Sequence, residues 1–412
     1  MTGRGGGGAR TFPPSFLFGT ATAATQIEGG CTTSDWYAFA REPGRIKDGD
    51  RPDVACDSWN LWESDVALQR RLGMGAHRLS IEWARIVPRE GAVDHAALDH
   101  YRRILGALGD AGIEPMVTLH HFTLPLWLAA RGGVLAPDFA ARFADFARLA
   151  AGALGDLARL WVTINEPNVL AAQGYLLGAW PPAKKSLPGA LRANRALLEA
   201  HVAAYRALKD ARGDAARVGV AYHLRVAQPE NARSLLDRAA AGLFGRVFTD
   251  AFPAAVEARG AQDFFGINYY SRDVIRFSLR HAAELFADRR IPAGAPVSDL
   301  GWEIYPEGLG ALARRWARRS GVPVYVTENG IADAADDRRG DFLVAHLREV
   351  AGAIAAGADV RGYFHWSLLD NFEWAEGYEP RFGLVEVDYA TRARRVRASG
   401  ELYARIARER AV

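Results

Sequence analysis

The sequence predicts an α/β protein that folds as a single-domain (β/α)8 barrel, or TIM barrel. Short β-branched or aromatic runs alternate with longer Ala, Leu and Arg segments of helical period, which is the pattern of repeated βα units around a parallel sheet. The 412 residues suffice for such a barrel, and no internal repeat, low-complexity linker or change of composition divides them. We expect a flexible tail over residues 1–10 and one barrel domain over residues 11–412.

Eight candidate strands follow one another along the chain, each ending near a Gly, Pro, Asn or other polar residue. They are FLFGTAT (16–22), HRLSIEW (77–83), PMVTLHH (115–121), LWVTINE (160–166), RVGVAYH (217–223), FFGINYY (264–270), PVYVTEN (323–329) and RGYFHWS (361–367). Helical periodicity is clear between several of them, over 98–112, 137–154 and 191–211. Eight strands with intervening helices are typical of a closed barrel.

The bulk properties exclude several classes of function. Basic residues number 51 against 48 acidic residues, so a general attraction to nucleic acid or to an anionic membrane is not implied. Cys31 and Cys56 cannot form a framework of several disulfides, which favours a reducing compartment. The first residues lack the apolar core of a secretory signal, and no stretch has the length of a membrane span. We expect a cytoplasmic protein.

Unusual polar and aromatic residues collect at the carboxyl ends of the predicted strands. Barrel enzymes place their active sites at this end, because the loops that follow the strands meet there. One such residue would carry little information, whereas a set from seven different strands indicates a site. The set comprises Gln26, Arg78, Glu82, His120, His121, Asn165, Glu166, Asn268, Tyr270, Glu328 and Trp366.

Glu166 and Glu328 form the most informative pair. Each ends a β-branched run and precedes a turn, at Pro167 in one case and at Asn329-Gly330 in the other. Glycoside hydrolysis requires two carboxyl groups, one to protonate the departing oxygen and one to attack the sugar or to activate water. The alternative is that each glutamate pairs with an arginine in an ion network at the barrel top.

Longer motifs resemble glycoside hydrolase family one, the β-glucosidase family. TINEPN and VTENG are similar to the acid/base and nucleophile signatures of that family. Further similarities occur in the expected order over residues 12–408. They are FLFGTATAATQIEG (16–29), RLSIEWARIVP (78–88), TLHHFTLPLWL (118–128), GINYYSR (266–272) and WSLLDNFEWAEGYEPRFGLVEVDY (366–389).

The resemblance implies retaining hydrolysis of β-glycosides in two steps. Glu328 would attack the anomeric carbon, while Glu166 would protonate the leaving oxygen and later deprotonate a water. We expect the charge of Glu328 to raise the pKa of Glu166. Arg78, Asn268 and Tyr270 would support the nucleophile. A barrel salt bridge and ordinary packing are the alternative roles for Arg78 and Tyr270.

The resemblance also implies a set of sugar-binding residues. Asn165 would bond the sugar 2-hydroxyl, and Trp366 would form an apolar floor beneath the ring. The other substrate-binding residues would be Gln26, His121, Tyr270, Glu373 and Trp374. Carboxylates in EWAEGYEPRFG would repel phosphate, which predicts an unphosphorylated sugar. Thioglucoside-specific relatives have Gln at the acid/base position, and this chain keeps Glu166.

Departures from the family pattern lie mainly on the leaving-group side. His120-His121-Phe122-Thr123 stands where Tyr-His-Trp-Asp is usual, and Glu82 replaces a small residue. For Glu82 we favour an outward ion pair over a third carboxylate in the site. Segments 224–262 and 271–300 are short for the family, which predicts an open aglycone side. Its walls would include Asn168, Trp302 and Phe382.

The remaining features do not point to a cofactor or a metal. No His, Glu or Cys cluster has metal-ligand spacing, and no Gly-rich phosphate loop follows a strand. His201 and His365 are expected to be core residues. The partner would be a small or short-oligosaccharide β-glycoside, while sequence leaves open its sugar, its aglycone and the oligomeric state. A transglycosidase and a non-catalytic sugar-binding barrel are the alternatives, although loss of a glutamate would be expected in the latter.

Overall fold

In the computed structural model, which describes residues 10–412, the eight predicted strands form a closed parallel barrel. The strands of the described residues are β1 Leu17–Ala21, β2 Ala76–Ser80, β3 Glu114–His120, β4 Leu160–Asn165, β5 Arg217–His223, β6 Val226–Pro229, β7 Phe264–Asn268, β8 Arg272–Phe277, β9 Ala287–Arg290, β10 Val324–Asn329, β11 Val360–Trp366, β12 Val385–Val387 and β13 Arg394–Val396. The barrel order is β1-β11-β10-β7-β5-β4-β3-β2, so the first and last barrel strands pair and close the sheet. The predicted (β/α)8 fold is confirmed.

Helices surround the barrel and alternate with its strands. They are α1 Ala24–Ile27, α2 Asp35–Phe39, α3 Ser58–Arg71, α4 Trp83–Ile86, α5 His95–Asp110, α6 Leu126–Ala130, α7 Phe139–Leu154, α8 Pro167–Leu170, α9 Leu187–Arg212, α10 Leu235–Phe244, α11 Ala251–Glu257, α12 Pro306–Ser320, α13 Arg339–Ala355 and α14 Ala398–Glu409. The three helices predicted by periodicity are α5, α7 and α9. Two of them start earlier than predicted because of caps: Asp94 and Ser186 accept hydrogen bonds from the third backbone N–H of α5 and α9.

Two apolar layers hold the barrel and leave one end open. The outer layer lies between the strands and the helices and includes the fully buried Trp161, Phe265 and Trp316. The inner layer fills the barrel with side chains such as Met116 and Phe364. Because the inner layer is packed with apolar side chains, the polar residues at the carboxyl ends of the strands form the floor of a cavity at the mouth.

Two small sheets and the chain ends complete the structure. Strands β6, β8 and β9 form a sheet, and β12 pairs with β13. The backbone of Arg10 exchanges two hydrogen bonds of 2.9 Å with Val412. The rest of the predicted tail, residues 1–9, lies outside the described residues. Within residues 10–412, no helix is both long and apolar enough to cross a membrane.

Candidate active site

Local backbone geometry presents both glutamates at the barrel mouth. Glu166 directly follows β4 in a left-handed conformation (φ 44°, ψ 60°), and Pro167 then begins α8. A non-glycine residue in this region is strained by roughly 1–3 kcal/mol, and such strain is common at functional sites. Glu328 lies in β10, whose end approaches β11 closely. A Cβ atom on Gly330 would lie 1.7 Å from the carbonyl oxygen of Trp366, so only glycine fits there.

A cavity of about 410 Å³ opens at this mouth, and both glutamates line it. Most of the predicted site residues line the same cavity: His121, Asn165, Asn168, Tyr270, Trp302, Trp366, Glu373, Trp374 and Phe382. Gln26, Arg78 and Asn268 do not line it, but each hydrogen-bonds a residue that does. Within residues 10–412, no group of three His, Cys, Asp or Glu side chains has the arrangement of a metal site.

Glu328 is held by a cation and a phenol. Arg78 forms a buried salt bridge with one carboxylate oxygen, and the Tyr270 hydroxyl donates to the other at 2.6 Å. Burial, and then the charge of Glu166, raise the pKa of Glu328 to about 7, against the lowering effect of Arg78 and Tyr270. Arg78 and Tyr270 therefore both contact Glu328, as the sequence predicted.

Glu166 is held by two donors on a single oxygen. The Asn268 amide donates to Oε1 at 2.9 Å, and Nδ1 of His223 lies 3.0 Å from the same atom. The structure therefore places Asn268 on the acid/base candidate and not on the nucleophile candidate, which corrects its predicted partner. His223 ends β5 and was not among the predicted site residues, although it occupies the same strand-end position that singled out the others.

The predicted pKa direction for Glu166 is wrong. Burial is the largest influence and raises the pKa, but the His223 imidazole, the Asn268 amide and the more distant Arg78 guanidinium together lower it below its usual range. The difference comes from the contact with His223, which the sequence does not show. Both glutamates are buried, so each contact acts with little screening by water.

Asn165 joins the surroundings of the two glutamates. Its Oδ1 accepts from Arg78 at 2.7 Å and from Asn268 at 3.0 Å, while its Nδ2 lies 3.3 Å from Nε2 of His121. A single amide therefore contacts a partner of each carboxylate. Since all of these side chains are buried, the network fixes the relative positions of both carboxylates.

A polar and aromatic group surrounds Glu373 and His121. Gln26 donates to Glu373 at 3.3 Å and to the backbone of Phe372 at 2.9 Å. The imidazole of His121 lies nearly parallel to the indoles of Trp366 and Trp374, at 5.8 and 6.0 Å between ring centroids. Hydrogen-bonding groups next to flat apolar faces match the hydroxyl and C–H surfaces of a sugar ring.

Another part of the cavity wall is more apolar and more open. Trp302 is 36% exposed and packs edge-on against Tyr270, with Phe382 behind it. Asn168 has both N–H bonds directed to backbone, to the carbonyls of His223 and Phe248 at 3.0 Å, so its amide braces the wall. Other apolar lining residues include Val169, Leu176, Leu177, Leu187, Leu191, Val247, Phe248, Leu285 and Leu300.

Comparison with known proteins agrees with this geometry. The model of glycosyl hydrolase family 1 matches residues 9–256 and 246–412. The chain belongs to glycosyl hydrolase family 1. Beta-glucosidase A of Thermotoga maritima is 36% identical, over 96% of this chain and 98% of that protein.

Solved structures of the family have the same fold. The beta-glucosidase of Thermotoga maritima in complex with glucoimidazole has a TM-score of 0.91 at 34% identity, over 98% of this chain and all of that chain. The beta-glycosidase of Pyrococcus horikoshii has a TM-score of 0.92 at 37% identity, over 98% of this chain and 96% of that one. The chain is therefore a glycoside hydrolase of the retaining β-glycosidase class.

Glu82 and Thr123, which both depart from the family pattern, contact each other. Glu82 is buried, accepts hydrogen bonds from the hydroxyls of Thr25 and Thr123, and does not line the cavity. The prediction of an outward ion pair is therefore wrong. Thr123 stands where the family usually has Asp, and the carboxylate in this contact belongs to Glu82.

One aromatic residue near the cavity and two buried histidines have structural roles. Phe122 packs edge-on against His121 at 5.1 Å and also against Trp374 at 5.3 Å, so it braces the ring that faces the cavity. His201 is fully buried, with Thr163 and the carbonyl of Ala261 each 2.7 Å from a ring nitrogen. His365 is also fully buried. Both histidines belong to the core, as predicted.

Proposed function

We propose that the chain is a β-glucosidase that hydrolyses short, unphosphorylated β-glycosides, with Glu328 as nucleophile and Glu166 as acid/base. The observation that carries this proposal is the pair of buried glutamates in one cavity, each with its own donors and linked through Asn165. The different partners suit the two roles. Arg78 favours the charged form of Glu328, whereas Asn268 and His223 are the groups that contact Glu166. In the free protein the pKa values have the opposite order, raised for Glu328 and lowered for Glu166, so the roles apply to the form of the pair in which the shared proton lies on Glu166.

The first step forms a covalent glycosyl-enzyme. An oxygen of Glu328 bonds to the anomeric carbon as the glycosidic C–O bond breaks, and the leaving oxygen takes its proton from Glu166. The sugar is then attached to Glu328 in the α configuration. The hydrogen bond from Tyr270 to Glu328 aims the attacking carboxylate.

The second step releases the sugar. Glu166, now ionised, takes a proton from water, whose oxygen bonds to the anomeric carbon as the bond to Glu328 breaks. Two inversions at the same carbon leave the product with the β configuration of the substrate. Asn165 would bond the sugar 2-hydroxyl and stabilise both transition states.

The two carboxyl groups titrate as a pair. With a pKa of about 7 at Glu328, one proton stays on the pair at slightly acid pH. The reactive form has this proton on Glu166 and the charge on Glu328. The form with the proton on Glu328 has the same net charge, so the pH dependence reports the loss of the shared proton. We expect kcat/KM to fall as the pH rises above about 7.

The polar side of the cavity supports an unphosphorylated glucose-like ring. Glu373 and Gln26 offer an acceptor and a donor for hydroxyls, and the indole of Trp366 offers an apolar face. Glu373 lies near Glu328 and Glu166, so a phosphate there would meet three carboxyl groups. The name beta-glucosidase carried by the Thermotoga maritima relative supports the same sugar.

The apolar wall supports an uncharged aglycone. Leu177, Leu187, Val247 and Trp302 line the cavity and are partly exposed, so an aryl or alkyl group there would bury apolar surface that water now covers. We expect aryl and alkyl glucosides to be hydrolysed at least as efficiently as a glucose disaccharide.

The test is hydrolysis of a panel of nitrophenyl α- and β-glycosides, with the anomer of the first product followed by NMR. We expect the β-glucoside to be hydrolysed and the β-anomer to appear first. Absence of β-glycosidase activity across the panel would contradict the proposal, and a first-formed α-anomer would contradict retention. Addition of alcohols separates the remaining alternative, because a transglycosidase would pass most of the sugar to the alcohol instead of to water.

A further inference from the structure

His223 is fixed beside Glu166 by backbone pairing. It ends β5, and its register partner on the neighbouring strand β7 is Asn268. The backbone N–H of Leu224 donates to the carbonyl of Asn268 at 3.0 Å, and the Asn168 amide donates to the carbonyl of His223 at 3.0 Å. Paired positions on two adjacent strands thus direct two side chains at the same carboxylate.

The imidazole also has fixed neighbours on its face and its edge. It stacks on the ring of Tyr270 at 6.1 Å with an angle of 22° between planes, and it meets Phe248 nearly perpendicularly at 6.0 Å. Tyr270 is the residue that donates to Glu328. His223 therefore touches the surroundings of both glutamates, and its ring has little freedom to rotate away from Glu166.

The two donors occupy only one oxygen of Glu166. Nδ1 of His223 and Nδ2 of Asn268 both lie within 3.0 Å of Oε1. Among residues 10–412, no group hydrogen-bonds Oε2, and Glu166 lines the cavity. A general acid has to deliver its proton from an oxygen that is not already accepting from the protein, because a donor on the same atom disfavours protonation there.

We propose that His223 is a positioning residue for the acid/base: its Nδ1–H donates to Oε1 of Glu166, so that Oε2 carries the transferred proton toward the leaving oxygen. This inference rests on the proposed function. The Nδ1–H is present both in imidazolium and in one neutral tautomer, so the role does not require a charge on the ring.

Other charged groups surround this contact from several elements. Arg78 on β2 acts on Glu166, Glu328 faces it from β10, and Glu373 adds a carboxyl group from the segment after β11. Arg225, two residues beyond His223, is paired with Asp273 at 2.5 Å. Two of the groups that lower the pKa of Glu166 have a cationic or titratable nitrogen, namely His223 and Arg78. Of these two, only His223 contacts Glu166.

The test compares His223→Ala and His223→Asn on substrates with different leaving groups. Asparagine can place an N–H where His223 has Nδ1, whereas alanine cannot. We expect His223→Ala to lower kcat/KM for phenyl β-glucoside by about 10- to 100-fold, a part of what a general acid supplies. For 2,4-dinitrophenyl β-glucoside we expect a loss of only about 2- to 3-fold, because this leaving group needs little protonation. His223→Asn should recover most of the loss.

The pH profile supplies a second measurement. Donors to a carboxylate stabilise its charged form, so removing His223 should move the alkaline limb of kcat/KM to higher pH in the alanine variant. His223→Asn should leave that limb closer to its wild-type position. The exposed His95, changed to alanine, is the control for loss of a histidine and should leave both the rates and the limb unchanged.

The possible results distinguish a positioning role of His223 from a packing role and from no role. Equal losses on the phenyl and dinitrophenyl substrates would show that His223 acts through packing alone, and an unchanged alanine variant would show that it has no role. A wild-type protein without β-glycosidase activity would contradict the proposed function itself. A wild-type protein that hydrolyses glycosides, with no leaving-group dependence in His223→Ala, would contradict only the role of His223.

Discussion

The two ends of the active-site cavity are built differently. The end with Gln26, Trp366 and Glu373 is polar, and its groups are tied to one another and to the backbone by hydrogen bonds. The end with Trp302 and Leu191 is apolar and partly exposed, and Leu191 is 59% exposed. Both glutamates line the same cavity. The first end can recognise one ring closely, while the second can accept many apolar groups.

The polar and apolar ends should contribute to specificity to different degrees. Buried hydrogen-bonding groups penalise a ligand that leaves them unpaired, whereas an apolar wall discriminates weakly between groups of similar size. Changes at the polar end should therefore be costly for every substrate. Changes at the apolar end should be mild and should depend on the aglycone.

The largest effect is expected at the centre of the cavity. Glu328→Gly should lower kcat on aryl glucosides by a factor on the order of 10⁴ or more, because it removes the nucleophile. With an activated β-glucoside such as the 2,4-dinitrophenyl compound, added azide can occupy the space that the missing carboxylate leaves. From the β-glucoside, azide attack should give an α-glycosyl azide by a single inversion, detected by NMR. Unchanged activity would remove Glu328 from the mechanism.

Glu166→Gly is the matched counterpart. Glu328 can still form the intermediate from 2,4-dinitrophenyl β-glucoside, and azide needs no base to attack it. The product should therefore be a β-glycosyl azide, the opposite anomer to that from Glu328→Gly. The same anomer from both variants would contradict the assignment of roles to the two glutamates. The anomer of each product depends on which glutamate is missing and not on the residues that bind the sugar or the aglycone.

The next effect is expected at the polar end. Gln26→Ala should lower kcat/KM by roughly 10- to 100-fold, since it removes a buried donor near a carboxyl group and leaves its partners unpaired. The measurement is kcat/KM on 4-nitrophenyl, phenyl and octyl β-glucosides. The loss should be the same for all three, because Gln26 contacts Glu373 and its neighbours and not the aglycone wall. A loss that varies with the aglycone would show that Gln26 also acts on the leaving group.

At the polar end, the buried carboxyl group of Glu373 should make the free energy of unfolding depend on pH. Burial, then the charge of Glu328, raise its pKa to about 8. Because the folded protein holds this proton after the unfolded chain has lost it, stability is highest at acid pH and declines as the pH rises toward about 8. Each unit of pKa shift between the unfolded and folded states corresponds to about 1.4 kcal/mol of folding stability. The side chain opens to the cavity, so we expect a decline of about 1–2 kcal/mol.

Glu373→Gln should remove this dependence. Urea unfolding at pH 5.5 and 8.5 should show a smaller fall in stability for the variant than for the wild type, together with a loss of activity. The exposed Glu376 at the rim is the matched control, and Glu376→Gln should change stability by less than about 0.5 kcal/mol at either pH. Parallel curves for Glu373→Gln and the wild type would show that Glu373 does not link folding to pH.

Much of the fold was predictable because its signals are local. Each barrel strand is a β-branched or aromatic run, and each reappears within a few residues of its predicted bounds, as β4 does at Leu160–Asn165. Helix starts were less accurate, because Ser186 begins α9 by capping it although it lies outside the apolar pattern. The mouth of the barrel was predictable for the same reason as the strands: polar residues that end parallel strands meet at one end.

What the sequence could not supply was the direction of individual side chains. Asn268 is the register partner of both His223 on β5 and Glu328 on β10, yet its amide donates to Glu166. His223 had a signal, since it ends the run RVGVAYH, but nothing in the sequence indicated that it contacts a carboxylate. Glu82 turns inward because Thr123, far along the chain, supplies a hydroxyl. Such contacts depend on distances that only the folded chain sets.

The smallest effect is expected at the apolar end, from Trp302→Ala. The indole is 36% exposed, and its contact with Tyr270 is edge-on at 5.7 Å, so it covers the aglycone space without holding the nucleophile directly. Loss of one aromatic contact should raise KM for aryl glucosides by about 3- to 10-fold and leave kcat nearly unchanged. Trp302→Phe should keep most of the affinity. Inhibition by free glucose, which needs only the polar end, should change by less than about 2-fold. If glucose binding weakened as much as aryl glucoside binding, Trp302 would act on the sugar ring, and the two ends would not be separate. If only the aryl substrates were affected, recognition of the ring and of the aglycone would be independent.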